Sequence, residues 1–411
     1  MRRRTRELLL AALVACPLPA LAQDSPAWLE FYFNLYPEYK VQHFDSPVPA
    51  GTNVGTMGTL RNDTTVLSRA GSAKAQIEGQ EWSNSYIGVR GQFARGPFTG
   101  GYDVQGLIDF AGHFDDNFRT RDAFVWIGHE RFGRLAYGKM DTMYKEAGDP
   151  VRMFGISSSN IVSTAKVQSG VGWKGAGETS FNNRVDHQLA WVGPGWGGWN
   201  LSVSEAVRAV DTANRLNGRL FSAAAQWRSG PWYAALATEI HHDWLPVSFV
   251  PATPVPAATS IRNALATTHS RDQGWRLSGA WVEGPWRIGA DVARLRYTED
   301  DSVSLPGKFR SYANYTGQVS AEYRLGKKLR FGANHARATA GECALSGGVP
   351  CSTHGLGGEQ TSLGVLLSVS EIASVFLIMA HTHNGPAAQY GSSAQGATTN
   401  AYALGIKLSM K

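Results

Sequence analysis

Charged and aromatic side chains recur at every second position in several segments between residues 86 and 150, a spacing that places them on one face of an extended chain. In Tyr86-Ile87-Gly88-Val89-Arg90, an apolar surface that takes Ile87 and Val89 leaves Tyr86 and Arg90 on the opposite side. The same alternation, called parity here, places Asp103, Gln105, Asp109 and Arg134 on the face opposite the apolar one. Opposite charges that face each other across water create a transverse field, so these residues are candidates for selecting ions.

A further charged group lies in the segment 142–183, which is rich in glycine and serine and contains Glu146 and Asp149. This segment is too polar to contact lipid, so it must lie in bulk water or in a water-filled lumen. The residues alone leave open whether Glu146 and Asp149 line such a lumen or are ordinary loop charges.

No catalytic or metal-binding arrangement is indicated. His241-His242 and His381-Thr382-His383 have a spacing found in metal sites, but they lie at the ends of predicted strands, which favours surface histidines. A Gly-x-Ser-x-Gly elbow does not occur, and the histidines belong to separate loops. The sequence therefore predicts no catalytic residues, no metal site and no cofactor.

Cys343 and Cys351 flank a segment of glycine, serine and proline. In an oxidising compartment, two cysteines at this spacing favour a disulfide within a loop over a metal site, which would need more ligands. We therefore predict a Cys343–Cys351 disulfide.

The elements that must position these residues are short strands. The segments 221–228 and 232–241 alternate apolar and polar residues, are joined by Ser229-Gly230-Pro231, and each place a tryptophan beside that turn. About ten residues with aromatic rings at the margin is typical of a strand that crosses a bilayer. The unit recurs about sixteen times, near 27–36, 84–93, 100–110, 120–128, 133–141, 184–192, 198–207, 218–228, 231–241, 274–283, 285–297, 312–324, 328–338, 360–369, 373–383 and 399–410.

The connections between these strands alternate between short and long, which favours a closed membrane barrel with short periplasmic turns and long outer loops. A soluble sandwich or propeller gives no reason for this alternation, and a blade repeat is not found. The mean hydropathy of −0.23 leaves no room for an apolar helical span. Basic residues alternate with apolar ones and do not cluster, so no nucleic-acid partner is predicted.

The amino terminus has the pattern of a secretory signal peptide. Arg2, Arg3, Arg4 and Arg6 precede an apolar run from Leu8 to Ala15, and Ala20-Leu21-Ala22 supplies a cleavage site. We predict a signal peptide at 1–22 and one barrel domain at 23–411. Leu13-Val14-Ala15-Cys16 also has the form of a lipoprotein cleavage box, so lipidation of Cys16 stays an alternative.

Several blocks resemble the general porins of Gram-negative bacteria. They are Ser85-Tyr86-Ile87-Gly88-Val89-Arg90-Gly91, Arg121-Asp122-Ala123-Phe124-Val125, Phe132-Gly133-Arg134-Leu135-Ala136-Tyr137-Gly138-Lys139-Met140-Asp141-Thr142, Lys145-Glu146-Ala147-Gly148-Asp149-Pro150, Leu189-Ala190-Trp191 and Pro194-Gly195-Trp196-Gly197-Gly198-Trp199. The resemblance implies a trimeric, sixteen-stranded antiparallel transmembrane β-barrel whose third loop folds inward and narrows the pore. It also implies an inward position for Arg121. The expected constriction comprises Glu146, Asp149, Arg90, Arg121, Arg134, Tyr86, Asp103 and Asp109.

Other positions have weaker expectations. Arg276, Arg287 and Asp291 are predicted to be solvated wall residues, and Lys139, with outward parity, is predicted to contact another subunit. Ala190 stands where relatives often carry a basic residue, and the segment 37–83 is predicted to be an unusually long loop. The chain ends in Met410-Lys411, whereas the family usually ends in phenylalanine.

The predicted function is an outer-membrane channel for passive diffusion of small hydrophilic solutes and ions, with outer-membrane lipid and two further copies of the chain as partners. The alternatives are a barrel enzyme of the protease or phospholipase type and a secreted β-sheet binding protein.

Overall fold

The computed structural model of the protein describes residues 28–45, 76–110, 118–156, 160–170, 172, 181–208, 218–244, 268–300, 308–391 and 395–410. The predicted signal peptide, including Cys16, lies outside these ranges.

One antiparallel sheet forms the described chain, and it closes on itself. Its segments are β1 (Trp28–Leu35), β2 (Pro37–Asp45), β3 (Gln76–Trp82), β4 (Tyr86–Arg95), β5 (Phe98–Ile108), β6 (Phe118–His129), β7 (Gly133–Asp141), β8 (Arg184–Val192), β9 (Trp199–Arg208), β10 (Gly218–Ser229), β11 (Trp232–His242), β12 (Ser270–Glu283), β13 (Trp286–Glu299), β14 (Phe309–Leu325), β15 (Leu329–Ala338), β16 (Glu342–Leu345), β17 (Gly358–Ser368), β18 (Ala373–Asn384) and β19 (Thr398–Met410). Two short helices lie between β7 and β8, α1 (Met143–Gly148) and α2 (Ala165–Ser169). No described helix has the length and apolarity that a membrane span requires.

These segments make sixteen barrel strands. β1 and β2 are two halves of one strand that is interrupted at Tyr36, and β3 and β4 are likewise separated only by residues 83–85. β16 is a four-residue strand that pairs with the far end of β14. The first strand pairs with the last, with Phe33 opposite Met410 and Gln42 opposite Ala401, so the barrel is closed. The predicted sixteen-stranded antiparallel barrel is confirmed.

The prediction of a loop over 37–83 is wrong at both ends. Pro37–Asp45 and Gln76–Trp82 are paired strands that lengthen the first hairpin. Their alternation is weak in the sequence because the outer positions include polar residues such as His43 and Asp45, and the structure pairs Lys40 with Glu81 between the two strands. The remainder, 46–75, lies outside the described residues.

The two faces of the barrel wall differ sharply in polarity. On β12, Trp275 and Leu277 are 47% and 56% exposed, whereas Arg276 between them is 1% exposed. Because side chains alternate across a strand, the exposed apolar face is the outer one and the polar face lines the interior. Aromatic pairs mark the short-turn ends, with Trp286 and Tyr323 rings 4.6 Å apart. Apolar surface on the outside and polar residues within are the arrangement that a bilayer requires.

A disulfide joins Cys343 of β16 to Cys351, with Cα atoms 5.8 Å apart. Both cysteines are half-buried and lie against the apolar cluster that includes Tyr312 and Leu345. The bridge ties β16 to the loop that leads to β17.

We expect this bridge to protect both cysteines from alkylation. Iodoacetamide added to denatured, unreduced mature protein should label neither Cys343 nor Cys351, and prior reduction should expose both to labelling, as read by mass spectrometry. Labelling of either cysteine without reduction would contradict the predicted disulfide.

Candidate pore constriction

The segment 142–183, called the third-loop segment here, begins with helix α1. The Thr142 side chain caps this helix by accepting a hydrogen bond of 3.3 Å from the Lys145 backbone N–H. Two 3₁₀ turns at Asp149–Val151 and Met153–Gly155 follow, and α2 comes later. Residues 157–159, 171 and 173–180 lie outside the described ranges.

The third-loop segment packs on the polar face of the sheet. The Arg276 guanidinium donates a 3.1 Å hydrogen bond to the Tyr144 carbonyl, while the strand neighbours of Arg276 point to the apolar outer face. Tyr233 donates a 2.8 Å hydrogen bond to the Ala147 carbonyl. In a closed barrel the face opposite the apolar one is the lumen, so these contacts lie inside the barrel.

The path of the segment follows from its partners on the wall. Phe154 N–H donates to Glu322, three residues from the short-turn end of β14. Further along, the side chain of Thr316, nearer the long-loop end of the same strand, donates to the Gln168 carbonyl. The segment therefore descends toward the short turns and then returns. Asn160 crosses to β2, where it donates to Glu38 at 2.9 Å.

Glycines in the wall make room for the apolar side chains of the segment. A Cβ atom on Gly332 would lie 2.6 Å from the Phe154 ring, and one on Gly364 would lie 2.7 Å from it. At Gly289 a Cβ atom would lie 2.8 Å from the Cα of Val151. Real Cβ atoms do not approach other atoms so closely, so these three positions need glycine if the segment is to pack there.

The prediction of solvated wall residues is wrong for Arg276 and Asp291. Both are buried beneath the third-loop segment, where Arg276 stacks on Tyr144 and donates to Asn182, and Asp291 accepts from Gln168 and Gln318. Parity had placed them on the polar face correctly, but it gives no information about what covers that face. Arg287 is partly exposed and donates to the Pro150 carbonyl.

We expect Arg276→Met to destabilise the protein by about 3 kcal/mol, because it removes several hydrogen bonds to the third-loop segment and leaves Asp291 without its nearest cation. Arg287→Met is the matched control and should cost about 1 kcal/mol or less, since that side chain is partly exposed. Urea unfolding in lipid vesicles measures both. Equal midpoints for the two variants would contradict the anchoring role of Arg276.

The interior wall formed by β1 and β4 to β8 is the part that faces the third-loop segment from the other side. Here Arg90 pairs with Glu30 at 2.7 Å, and its guanidinium lies 5.1 Å from the Tyr32 ring. Tyr32 in turn donates to Asp103. Arg90 and Asp103 are thus on this wall as parity predicts, but each already has a partner on β1, which neighbours the strand of Arg90 and lies one strand further from that of Asp103.

A chain of alternating charges connects this wall to the third-loop segment. Arg121 pairs with Asp122 at 2.9 Å, Arg184 contacts both Asp122 and Asp141, and Lys145 lies 2.7 Å from both Asp141 and Asp149. Arg121 also lies 4.1 Å from the Tyr86 ring. A bulge in β6 opposite Gln105 lets the consecutive residues Arg121 and Asp122 both contact this network. We call these six residues, Arg121, Asp122, Arg184, Asp141, Lys145 and Asp149, the charge chain.

Sequence reasoning did not identify Asp122, Asp141 and Arg184 as members of the site. Asp141, Lys145 and Asp149 recur at intervals of four, which is a sequence signal for ion pairs along a helix. Arg184 carries no such signal, because it enters from a strand 43 residues after Asp141. Asp149 stays a predicted constriction residue, and its carboxylate is paired with Lys145 of the same segment.

Glu146 and Arg134 differ from the charge chain. Within the described ranges, neither side chain makes an ion pair or hydrogen bond, and the Arg134 guanidinium lies 5.6 Å from the Trp126 ring. Enclosure by the barrel, together with the carboxylates of Asp141 and Asp149, raises the pKa of Glu146 to about 7, and Arg134 opposes that shift. Asp109 is buried just beyond the end of β5. Among the predicted constriction residues, the charged side chains without an ion-pair or hydrogen-bond partner in the described part of the chain are therefore Glu146 and Arg134.

The model of the Gram-negative porin family matches residues 9–342, which is most of the chain. The chain belongs to the Gram-negative porins. This porin is therefore an outer-membrane channel, as predicted. The comparison with curated proteins finds no match.

Solved structures share the fold of this porin at low identity. The anion-selective porin from Comamonas acidovorans is 13% identical with a TM-score of 0.66, and the match covers 94% of this chain and 100% of that one. Salmonella typhi OmpF, solved with daunomycin, is 12% identical with a TM-score of 0.60, over 93% of this chain and 97% of that one. OmpT of Vibrio cholerae in its trimer form is 13% identical with a TM-score of 0.59, over 93% and 99%.

One of the four histidines that were predicted to lie at the surface of this porin is buried. His241 is buried, with its Nε2 2.9 Å from Glu239 and its ring stacked on Phe181 of the third-loop segment, so it is not a surface histidine. His242, His381 and His383 are exposed, as predicted. The residues that the structure describes include no group of three or more His, Cys, Asp or Glu side chains that could hold a metal ion.

On the outer face of this porin, an ion pair lies next to a bulge in β8. Lys139 lies 3.2 Å from Asp186, which is 63% exposed. Lys139 thus points outward, as its parity predicts. Ala190 is buried on the inner side, among the apolar residues beneath α1.

Proposed function

We propose that this porin is a passive, non-enzymatic channel for small hydrophilic solutes and ions, and that the gap between the third-loop segment and the wall of β1 and β4 to β8 is its constriction. The observation that carries this proposal is the placement of Glu146 on the segment and Arg134 on the wall, both without an ion-pair or hydrogen-bond partner among the described residues. Charges at such a constriction set the local concentrations of ions.

The pairing of the other charges bears on selectivity. Arg90 is neutralised by Glu30, and the charge chain contains three basic and three acidic residues. Glu146 is opposed by Arg134, and the partner of Asp103 is the uncharged Tyr32, so these residues leave the gap with a small net negative charge. We therefore propose weak ion selectivity that depends mainly on the protonation of Glu146.

Two further features belong to the proposal. Residues 1–22 direct export, and the mature chain assembles as a homotrimer. A charged pair such as Lys139–Asp186 on the outer face is costly against lipid, about 2–4 kcal/mol for a basic residue at mid-depth, and contact with another subunit would remove that cost.

Recordings from planar bilayers test the function. The purified protein should insert as discrete conductance steps, grouped in threes for a trimer, and reversal potentials in a salt gradient should show a permeability ratio near one at neutral pH. Protein that is folded by circular dichroism but adds no steps would contradict a channel. Steps with a strongly one-sided permeability ratio would contradict the charge balance.

A further inference from the structure

Two outer-loop stretches meet beside the third-loop segment at the long-loop end of the barrel. In the first, which precedes β17, the Thr353 hydroxyl donates a 2.7 Å hydrogen bond to the Gly341 carbonyl. In the second, which follows β18, the Ala387 N–H donates a 3.0 Å hydrogen bond to the Gly355 carbonyl. The two stretches are therefore bonded to each other. We call residues 353–356 and 386–390 the outer clamp.

The outer clamp contacts the returning part of the third-loop segment. The Gln389 N–H donates a 2.7 Å hydrogen bond to the Gly172 carbonyl. Tyr390 is buried in an apolar cluster with Val167 of α2. A Cβ atom on Gly358 would lie 2.3 Å from the Tyr390 ring, so the ring has no room to move away from α2 on that side. The outer clamp thus holds α2, whereas the charge chain fastens α1.

A row of aromatic rings links the third-loop segment to the disulfide. The ring centroids of Phe181 and Tyr297 are 5.8 Å apart, and those of Tyr297 and Tyr312 are 6.1 Å apart. Tyr312 stands opposite Cys343 in the pairing of β14 with β16. The disulfide packs on the apolar cluster that contains these rings and Leu356 of the outer clamp. One apolar core therefore joins the disulfide, the outer clamp and the third-loop segment.

The disulfide is the covalent closure of this assembly. Cys343 is held in β16, whereas the described residues 351–357 form no strand or helix. The bridge therefore fixes Cys351, and with it the start of the outer clamp, to the edge of the sheet. Opening a closed loop increases the number of conformations available to it, so cutting the bridge should loosen residues 351–357.

We propose that the Cys343–Cys351 disulfide is a redox-sensitive fastening of the constriction. While it is closed, the outer clamp fixes α2, and its reduction by an external dithiol releases α2. One thiolate of the dithiol attacks a sulfur of the bridge and the other displaces the mixed disulfide. The dithiol gives up two electrons and its two protons, and the products are two cysteine thiols and a cyclic disulfide. The effect on current rests on the proposed function, but the release of α2 does not depend on conduction.

Hydrogen–deuterium exchange of the full mature chain in detergent tests the proposal. Reduction with dithiothreitol should speed the exchange of peptides that cover α2 about ten-fold and leave those that cover α1 unchanged. Cys343→Ser with Cys351→Ser should show the fast exchange of α2 without a reductant. Tyr390→Ala should show it with the bridge intact. Tyr390→Phe is the matched control and should exchange as the parent does, because the hydroxyl that it removes makes no hydrogen bond among the described residues.

Mass spectrometry confirms complete reduction, and migration on unheated gels confirms a folded barrel. Unchanged exchange of α2 in reduced, folded protein would overturn the proposal. Equal acceleration of α1 and α2, or loss of the folded barrel on reduction, would also overturn it, because the bridge would then stabilise the whole barrel. Slow exchange of α2 in Tyr390→Ala would overturn the route through the outer clamp.

Planar-bilayer recordings of the same samples test the coupling to the constriction. Dithiothreitol added on the long-loop side should raise the open-channel current noise of the parent, and the double serine variant should be noisy from the start and insensitive to the reagent. Quiet channels in protein whose α2 exchanges fast would overturn the coupling. Fast exchange of α2 in protein that forms no channels would contradict the proposed function and leave the release of α2 established.

Discussion

Replacing Lys145 with methionine is expected to lower the free energy of unfolding by about 3 kcal/mol and to raise single-channel current noise. The Lys145 ammonium is buried 2.7 Å from both Asp141 and Asp149, so its loss leaves two carboxylates facing each other. Removing one partner of a buried pair typically costs 3–5 kcal/mol, and the value here is at the lower end because Asp149 is partly exposed. Urea unfolding and planar-bilayer recordings measure the two effects.

Two variants serve as controls for that prediction. Lys327→Met removes a lysine from the exposed turn between β14 and β15 and should cost about 1 kcal/mol or less. Adding Asp149→Asn to Lys145→Met should recover part of the lost stability, because it removes the uncompensated carboxylate. If Lys145→Met were no more destabilising than Lys327→Met, the charge chain would not fasten the third-loop segment to the wall.

At pH 8, where its carboxyl group is mostly ionised, Glu146→Gln should make the channel about ten-fold more permeable to anions relative to cations, with about three-fold contributed by each ion. The change removes the unpaired negative charge opposite Arg134, and a unit charge about 6 Å away in water is worth about 0.7 kcal/mol to a passing ion. Reversal potentials in a gradient of KCl near 0.1 M measure it, since screening is weak there. Asp149→Asn is the matched control and should have a smaller effect, because Lys145 already neutralises that carboxylate.

The same residue should make selectivity depend on pH. The pKa of Glu146 is raised to about 7, so the carboxyl group is mostly ionised at pH 8 and mostly protonated at pH 6. Lowering the pH across this interval should therefore shift the parent channel toward anions, and the Glu146→Gln channel should lack that shift. A pH shift of equal size in both channels would assign it to another group.

Strand positions were largely readable from the sequence because lipid outside and water inside impose a strict alternation. β7 and β8 have the bounds that the pattern predicts. The extension through Pro37–Asp45 was missed because its outer positions are less apolar, which removes the signal on which the prediction depends.

The residues of the constriction could be predicted only in part, because the sequence shows which side chains face inward but not which of them the third-loop segment covers. Parity assigns Arg276 and Arg90 to the same inner face, but one is sealed beneath the third-loop segment and the other is partly open and paired with Glu30. Which of these occurs depends on the path of a loop whose contacts come from strands up to 199 residues away. Local spacing carries no information about such partners.

Modification of a cysteine at position 146 tests the location of the constriction most directly. In Glu146→Cys, with the native cysteines oxidised, a negatively charged methanethiosulfonate added during a bilayer recording should attach to this thiol. We predict that the current then falls in discrete steps, one for each modified pore, and that a positively charged reagent shifts selectivity toward anions relative to the negative one. Unchanged current and selectivity from protein that mass spectrometry shows to be fully modified would contradict a pore that passes between Glu146 and Arg134.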